Sequence, residues 1–324
     1  MNKTKSRAAI IILAVVLLSA ISVAYLTVPF KVFEPGETSI ICKKDEGVIE
    51  VQENALKILQ ITDLHVNGAL DMPLTFSVIK ELVRKADPDM IVVTGDVFSS
   101  GCSERDVDIF TAFMADVGLP WAAVLGNHDD ETPYSLEELS AILESAENSL
   151  FKRGDLTDRY GNYFYNVKFA DGGEYRFIFM DSRSSGFTEE SVAFYESAVN
   201  SSLATDGSVT ESFLFYHIPL SEAYSAIAEY ESGRAEGSGR IRETICDQET
   251  RVGFFEKLLE LGSTKAMIYG HDHLNDAKTK YLGVDFNYGT KTGTSSSNYL
   301  GLVGGTVYIL NSDGSYSVED IIIF

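Results

Sequence analysis

Leu56-Lys57-Ile58-Leu59-Gln60-Ile61-Thr62-Asp63-Leu64-His65 sets an apolar run directly against an acid and an imidazole. Leu56 to Thr62 reads as a short buried strand that ends in Asp63-x-His65. From Pro73 to Ala86, apolar Leu74, Val78, Ile79, Leu82 and Val83 recur at helical spacing, and Asp87-Pro88-Asp89 breaks the pattern. Met90 to Thr94 predicts a second buried strand, delivering Gly95-Asp96. Ser103 is a plausible N-cap for a helix to Val117; Trp121 to Leu125 is a third strand, and it runs into Gly126-Asn127-His128-Asp129. Ser135 and Glu138 fit a capping box.

Downstream the pattern changes. Asn162 to Phe169 and Glu174 to Asp181 flank Asp171-Gly172-Gly173 as a hairpin. A helix over 189–203, a strand over Phe213 to Tyr216 and a helix from about Ser221 follow, with a Gly/Ser/Arg loop over 232–240. A helix over 249–261 and a strand from Lys265 to Tyr269 lead to a tail that is all β from Tyr281, with a turn at Asn311-Ser312-Asp313-Gly314. Helices interleaved with strands, then strands alone, predict an α/β sandwich with mixed sheets.

The N-terminus has its own signature. Lys3, Lys5 and Arg7 precede an uncharged apolar run from Ala8 to Phe30. Such a run is long enough to span a bilayer, with the cations inside and the rest of the chain outside. Ser22-Val23-Ala24 offers a competing signal-peptide cleavage site. The uncleaved anchor is favoured because apolar residues continue past that site. The expected organisation is a transmembrane signal anchor or signal peptide over 1–30, a linker over 31–54 and a catalytic domain over 55–324. It implies an extracytoplasmic domain, membrane-anchored or secreted.

With 324 residues and a formal net charge of −22, the chain is a poor match for a nucleic-acid backbone, so no stable nucleic-acid partner is expected. A small phosphorylated substrate remains compatible, because screening confines exposed charges to short range. Cys42, Cys102 and Cys246 are odd in number and form no C-x-x-C pair, so free thiols are expected.

All five histidines, His65, His128, His217, His271 and His273, fall at or beside predicted strand ends. Ligands of open α/β sheets bind beyond the carboxyl ends of strands. Imidazole and carboxylate delivered there suit Mn, Fe, Zn or similar ions, and two such ions can share a bridging carboxylate. Each cluster alone is commonplace; five in order are not.

The ordered set Asp63-x-His65, Gly95-Asp96, Gly126-Asn127-His128-Asp129, His217 and Gly270-His271-x-His273 resembles the calcineurin-like metallophosphoesterase family. Leu59-Gln60-Ile61-Thr62-Asp63-Leu64-His65 and Phe215-Tyr216-His217-Ile218-Pro219-Leu220 are similar to a branch near the purple acid phosphatases. The resemblance implies a four-layer α/β/β/α sandwich with two mixed β-sheets and a dinuclear metal site at the strand ends. It implies two divalent metal ions: Asp63, His65 and His273 on one, Asn127, His217 and His271 on the other, and Asp96 between them. His128 would act as general acid or phosphate contact, with Asp129 orienting it, in an in-line attack by a bridging hydroxide on a phosphomonoester or phosphodiester. Purple acid phosphatases use a metal-bound tyrosine and lack the first-cluster histidine, whereas this chain has His65, so a tyrosinate-iron centre is not expected.

Other readings fit less well. A metallo-β-lactamase-type site needs an early H-x-H-x-D-H, and the H-x-H here is late. A nuclease is disfavoured by the acidic balance. A non-catalytic, metal-dependent surface-binding protein would not need His128. Arg183, Arg234 and Arg240 are candidate phosphate contacts, with an exposed solubilising arginine the favoured reading of each, and Tyr160, Tyr163, Phe164 and Tyr165 read as core or sheet-face residues.

Overall fold

The computed structural model describes residues 38–68, 71–155, 159–201, 209–295 and 301–324. Fourteen strands are present among them: β1 (Ile40–Lys43), β2 (Val48–Val51), β3 (Ala55–Ile61), β4 (Met90–Thr94), β5 (Trp121–Val124), β6 (Tyr163–Phe169), β7 (Glu174–Phe179), β8 (Ser212–Phe215), β9 (Gly237–Ser238), β10 (Thr264–Tyr269), β11 (Lys278–Tyr281), β12 (Val284–Tyr288), β13 (Gly304–Asn311) and β14 (Tyr316–Ile322). The α-helices are α1 (Met72–Ala86), α2 (Glu104–Val117), α3 (Leu136–Ser145), α4 (Glu189–Asn200), α5 (Glu222–Glu231) and α6 (Phe254–Leu261).

The strands form two mixed sheets, in the orders β1-β2-β6-β7-β8-β10-β12-β11-β9 and β14-β13-β3-β4-β5. Side chains alternate across a strand, and the nine-stranded sheet shows what that does. Phe177, Phe179, Phe213, Phe215, Ala266 and Ile268 turn inward into the core shared with β3, β4 and β5. Their neighbours Ile178, Leu214, Met267 and Tyr269 turn outward into a second core with α4, α5 and α6. Helices α1, α2 and α3 bury Phe76, Phe110, Phe113 and Leu139 against the five-stranded sheet. The result is the α/β/β/α sandwich. The Phe76 and Phe113 rings stack at 3.9 Å, and each such ring removed from water contributes roughly 1.5–3 kcal/mol.

Local signals set the helix ends. The Asp106 carboxylate accepts from both Ser103 N and Ser103 Oγ, at 2.9 and 2.7 Å, and starts α2. Ser135 and Glu138 close the expected box on α3, with Glu138 Oε2 accepting Ser135 N at 2.9 Å. The helix expected over 249–261 begins only at Phe254. Gln248 is committed elsewhere, accepting Phe187 N at 2.8 Å and donating to Ile218 O at 2.8 Å.

Two expectations require correction. Residues 40–51, read as part of a linker, form the β1–β2 hairpin, and β2 adds in parallel to β6. Ile40, Ile49 and Val51 bury there, and the charges of the Lys43–Gly47 turn had masked this short alternation. The transmembrane and signal-anchor expectation is also overturned: among the described residues no helix is long and apolar enough to cross a membrane. Residues 1–30, on which it rested, lie outside the described residues.

Candidate metal centre

Parallel pairing of β3 with β4 and β4 with β5 puts the carboxyl ends of three strands at one edge. Parallel pairing of β8 with β10 and β10 with β12 does the same in the other sheet. Asp63, Asp96 and the 126–129 turn thus come from one sheet, and His217, His271 and His273 from the other. Beyond their strands the first two loops remain laddered: Asp63 N donates to Gly95 O at 3.1 Å and His65 N to Asp96 O at 3.0 Å. Asp63, His65, Asp96 and His271 hold positive φ, at 53°, 48°, 49° and 79°. Non-glycine residues rarely adopt this conformation, and it clusters at functional sites.

Two donor groups share one residue. Ligand atoms of Asp63, His65, Asp96 and His273 lie within 4.8 Å of one another, and those of Asp96, His217 and His271 do likewise. His65 Nε2 and His273 Nε2 stand 3.0 Å apart, and His271 Nδ1 is 3.3 Å from His217 Nε2. His217 Nδ1 is 2.8 Å from Thr94 O. A carbonyl only accepts, so Nδ1 donates there and Nε2 is the nitrogen turned toward Asp96, 3.2 Å away. Close approach requires glycine twice. A Cβ on Gly126 would lie 2.2 Å from Asp96 Oδ1, and one on Gly95, at φ +88°, would lie 2.4 Å from His217 Nδ1.

The electrostatics show what the cluster attracts. Burial would raise Asp96, but the attraction and hydrogen bond of His217 outweigh it and hold the carboxyl down to about 2. Burial would lower His217, and Asp96 overrides it, lifting the imidazole to about 10. The field that draws a proton to His217 draws a metal cation equally. Burial, with Lys291 nearby, pushes His65 down to about 3. Burial and His217 push His271 down to about 4, so both rings stay neutral and ligand-competent. Asp63 Oδ1 and Asn127 Oδ1 are buried with no hydrogen-bond partner. Buried polar atoms are normally paired; the Asp63 oxygen stands 3.5 Å from His273 Nε2, and an orphan carboxylate oxygen beside an imidazole fits a divalent cation.

The structure brings together Asp63, His65, Asp96, His217, His271 and His273 of the expected ligand residues, and corrects one role. Asp129 is fully buried and does not touch the His128 ring. It accepts Phe98 N at 2.9 Å and Gly126 N at 2.7 Å, and so fixes the backbone that presents Asn127. Burial and the neighbouring Asp96 raise its carboxyl to about 7. His128 N donates to Asp96 Oδ1 at 2.9 Å, and its ring stands 5.3 Å from that of His65. The carboxylate on His128 Nδ1 belongs to Glu131, at 2.9 Å. The i, i+3 spacing of His128 and Glu131 was the available signal.

Sequence reasoning also missed a strap over 291–295. Thr292 N donates to Thr62 O at 3.0 Å, Lys291 Nζ to Asp63 O at 2.7 Å and Ser295 Oγ to His65 O at 3.0 Å. Burial brings the Lys291 ammonium down to about 8 against the pull of Asp63 and Asp96. Of the other candidates, Tyr163 and Tyr165 are sheet-face residues whose hydroxyls donate to Ala123 O and Leu150 O. Arg234 pairs with Glu229 at 2.8 Å, and Arg240 N donates to Asp276 at 2.7 Å.

A two-sheet sandwich with imidazole and carboxylate donors at its strand ends defines a metal-binding phosphoesterase architecture. Residues 56–275 match the calcineurin-like phosphoesterase model, and the chain belongs to that family. It is 24% identical over 298 residues to "Probable inactive purple acid phosphatase 14" of Arabidopsis thaliana, covering 77% of this chain and 73% of that protein. It is 27% identical over 293 residues to "Phosphatase DCR2" of Saccharomyces cerevisiae, covering 78% of this chain and 49% of that one. A dimetal phosphatase structure from Danio rerio superposes with a TM-score of 0.51 at 14% identity, covering 84% of this chain and 99% of the other, a likeness of fold.

Proposed function

We propose that this chain is a dinuclear metal-dependent hydrolase of small phosphate esters. The observation that carries the reading is Asp96, whose carboxylate belongs to both donor groups. Asp63, His65 and His273 would hold one divalent ion, Asn127, His217 and His271 the other, and Asp96 would bridge them. When bound, such ions lower the pKa of water and neutralise charge on a phosphoryl group. The chain supplies the rest. Asp129 and the 126–128 backbone keep Asn127 and His128 in place. His128, with Nδ1 held by Glu131, offers Nε2 to protonate the departing alcohol oxygen.

The Arabidopsis relative is named as inactive. Against that reading for this chain stands its complete set of donors together with His128. The test is to strip metals from the full chain, restore Mn, Zn, Fe or Co singly, and assay p-nitrophenyl phosphate beside bis-p-nitrophenyl phosphate. Metal-restored turnover supports the proposal. Two bound metals without turnover of either ester would favour a metal-dependent binding role.

A further inference from the structure

The two oxygens of the Asp63 carboxylate have unlike surroundings. Oδ1 is buried with no hydrogen-bond partner and stands 3.5 Å from His273 Nε2. Oδ2 takes two donors, the Thr62 hydroxyl at 2.8 Å and the His271 backbone N at 3.1 Å. Thr62 is fully buried just past β3. Its backbone is clamped from both sides: its O accepts Thr292 N at 3.0 Å, and its N donates to Thr292 Oγ1 at 3.3 Å. The Thr62 Oγ1 also lies 3.1 Å from Thr94 O. A hydroxyl has a single proton to give. The Thr94 carbonyl already accepts His217 Nδ1 at 2.8 Å, whereas a bond to an ionised carboxylate is charge-assisted and the stronger of the two. The Thr62 proton therefore goes to Asp63. A Cβ on Gly270 would lie 2.0 Å from Thr62 Oγ1 and 2.7 Å from Asp63 Oδ2, so glycine there leaves room for this bond.

We propose that Thr62 is a positioning residue of the metal centre: with the His271 amide it occupies Asp63 Oδ2 and leaves Oδ1 to reach an ion shared with His65 and His273. The inference rests on the metal-binding part of the proposed function and deepens it. A carboxylate free to rotate offers either oxygen, in several directions. One whose far oxygen is tied by two donors presents the other in a single direction, and hydrogen bonds behind a ligand raise metal affinity in this way. The same two donors hold the carboxylate of a residue at φ 53°, and one of them is the amide of His271, which belongs to the second donor group. Thr62 acts only through Asp63; its hydroxyl is spent on that bond.

The test is chelator competition against the manganese-loaded full chain, with turnover of both p-nitrophenyl esters measured beside it. Thr62→Val keeps the shape and deletes the donor, and is expected to weaken one manganese equivalent by about 10- to 100-fold. Thr62→Ser should return most of that affinity, because it restores the hydroxyl. Thr62→Ala asks for no new space and should show the same loss as Thr62→Val. Tyr308→Phe removes an equally buried hydroxyl from the neighbouring strand β13, one that donates to Gln60 Oε1 at 3.1 Å, and should leave manganese affinity unchanged. Wild-type affinity in Thr62→Val and Thr62→Ala would overturn the assignment. So would failure of Thr62→Ser to rescue, or an equal loss in Tyr308→Phe, either of which would reduce Thr62 to packing. A wild-type protein that binds manganese but hydrolyses neither ester would sink the hydrolase reading while the Thr62 effect on affinity stands. One that takes up no manganese would overturn both.

Discussion

Glu131 joins the His128 ring to the neighbouring loop: one carboxylate oxygen lies 2.9 Å from His128 Nδ1, and the other accepts Ser100 N at 2.7 Å. The bond fixes the ring's rotation and leaves Nε2 to face the chemistry. If His128 protonates the leaving oxygen, Glu131→Gln should lower kcat for alkyl phosphates about 10- to 100-fold, within the range of positioned acid catalysis. Turnover of p-nitrophenyl phosphate, whose leaving group needs little protonation, should change far less, and KM should hold. A leaving-group series on the variant and the parent checks this. A uniform loss across the series would assign Glu131 a purely architectural role.

Asp96 is the residue common to both donor groups. Asp96→Asn keeps the shape and removes the bridging charge. Elemental analysis should show one metal equivalent lost, and activity should fall by at least about 100-fold. The circular dichroism spectrum should be preserved, because the apolar core between the sheets stays intact. Retention of both metals with full activity would refute the ligand assignment. Gly126→Ala should reproduce the defect indirectly, since the added Cβ would press on Asp96 Oδ1 at 2.2 Å.

Away from the site, Phe113 is fully buried and stacks on Phe76 at 3.9 Å, joining α2 to α1 over the five-stranded sheet. Phe113→Ala should cost about 3–5 kcal/mol by lost burial and cavity formation. Urea denaturation should show the lower midpoint without altered metal stoichiometry. A loss below about 1 kcal/mol would mean that the helix layer collapses onto the gap.

What was legible in the sequence follows from the range of each interaction. β4 and the α2 start could be read because their causes are local: a continuous apolar run and a cap three residues from its partner. The ligand residues could be read because strand ends deliver them in short polar clusters. The β1–β2 hairpin escaped because its strands are four residues each and owe their order to pairing with β6, more than a hundred residues away. Asp129 was given the wrong partner because adjacency in sequence suggested the His128 ring, whereas its carboxylate turns back to Phe98 and Gly126.

Lys291 shows the same limit at the site itself. It lies beyond the family match at 56–275, in no motif, yet its ammonium is buried 2.7 Å from the carbonyl of Asp63. That carbonyl belongs to a residue at φ 53°, so the contact helps to hold an uncommon conformation at a candidate metal ligand. Lys291→Met keeps the apolar stem and deletes the donor. On the proposed dinuclear assignment, an ion at Asp63, His65 and His273 should then bind about 10- to 100-fold more weakly, the range for residues that support metal ligands. An ion at Asn127, His217 and His271 should be nearly unaffected, because the strap's hydrogen bonds go to Thr62, Asp63 and His65. Competition with a graded chelator series resolves the two equivalents. Equal weakening of both, accompanied by a lower melting temperature, would reduce Lys291 to general packing, and unchanged affinity for both would dissolve its link to the metal centre.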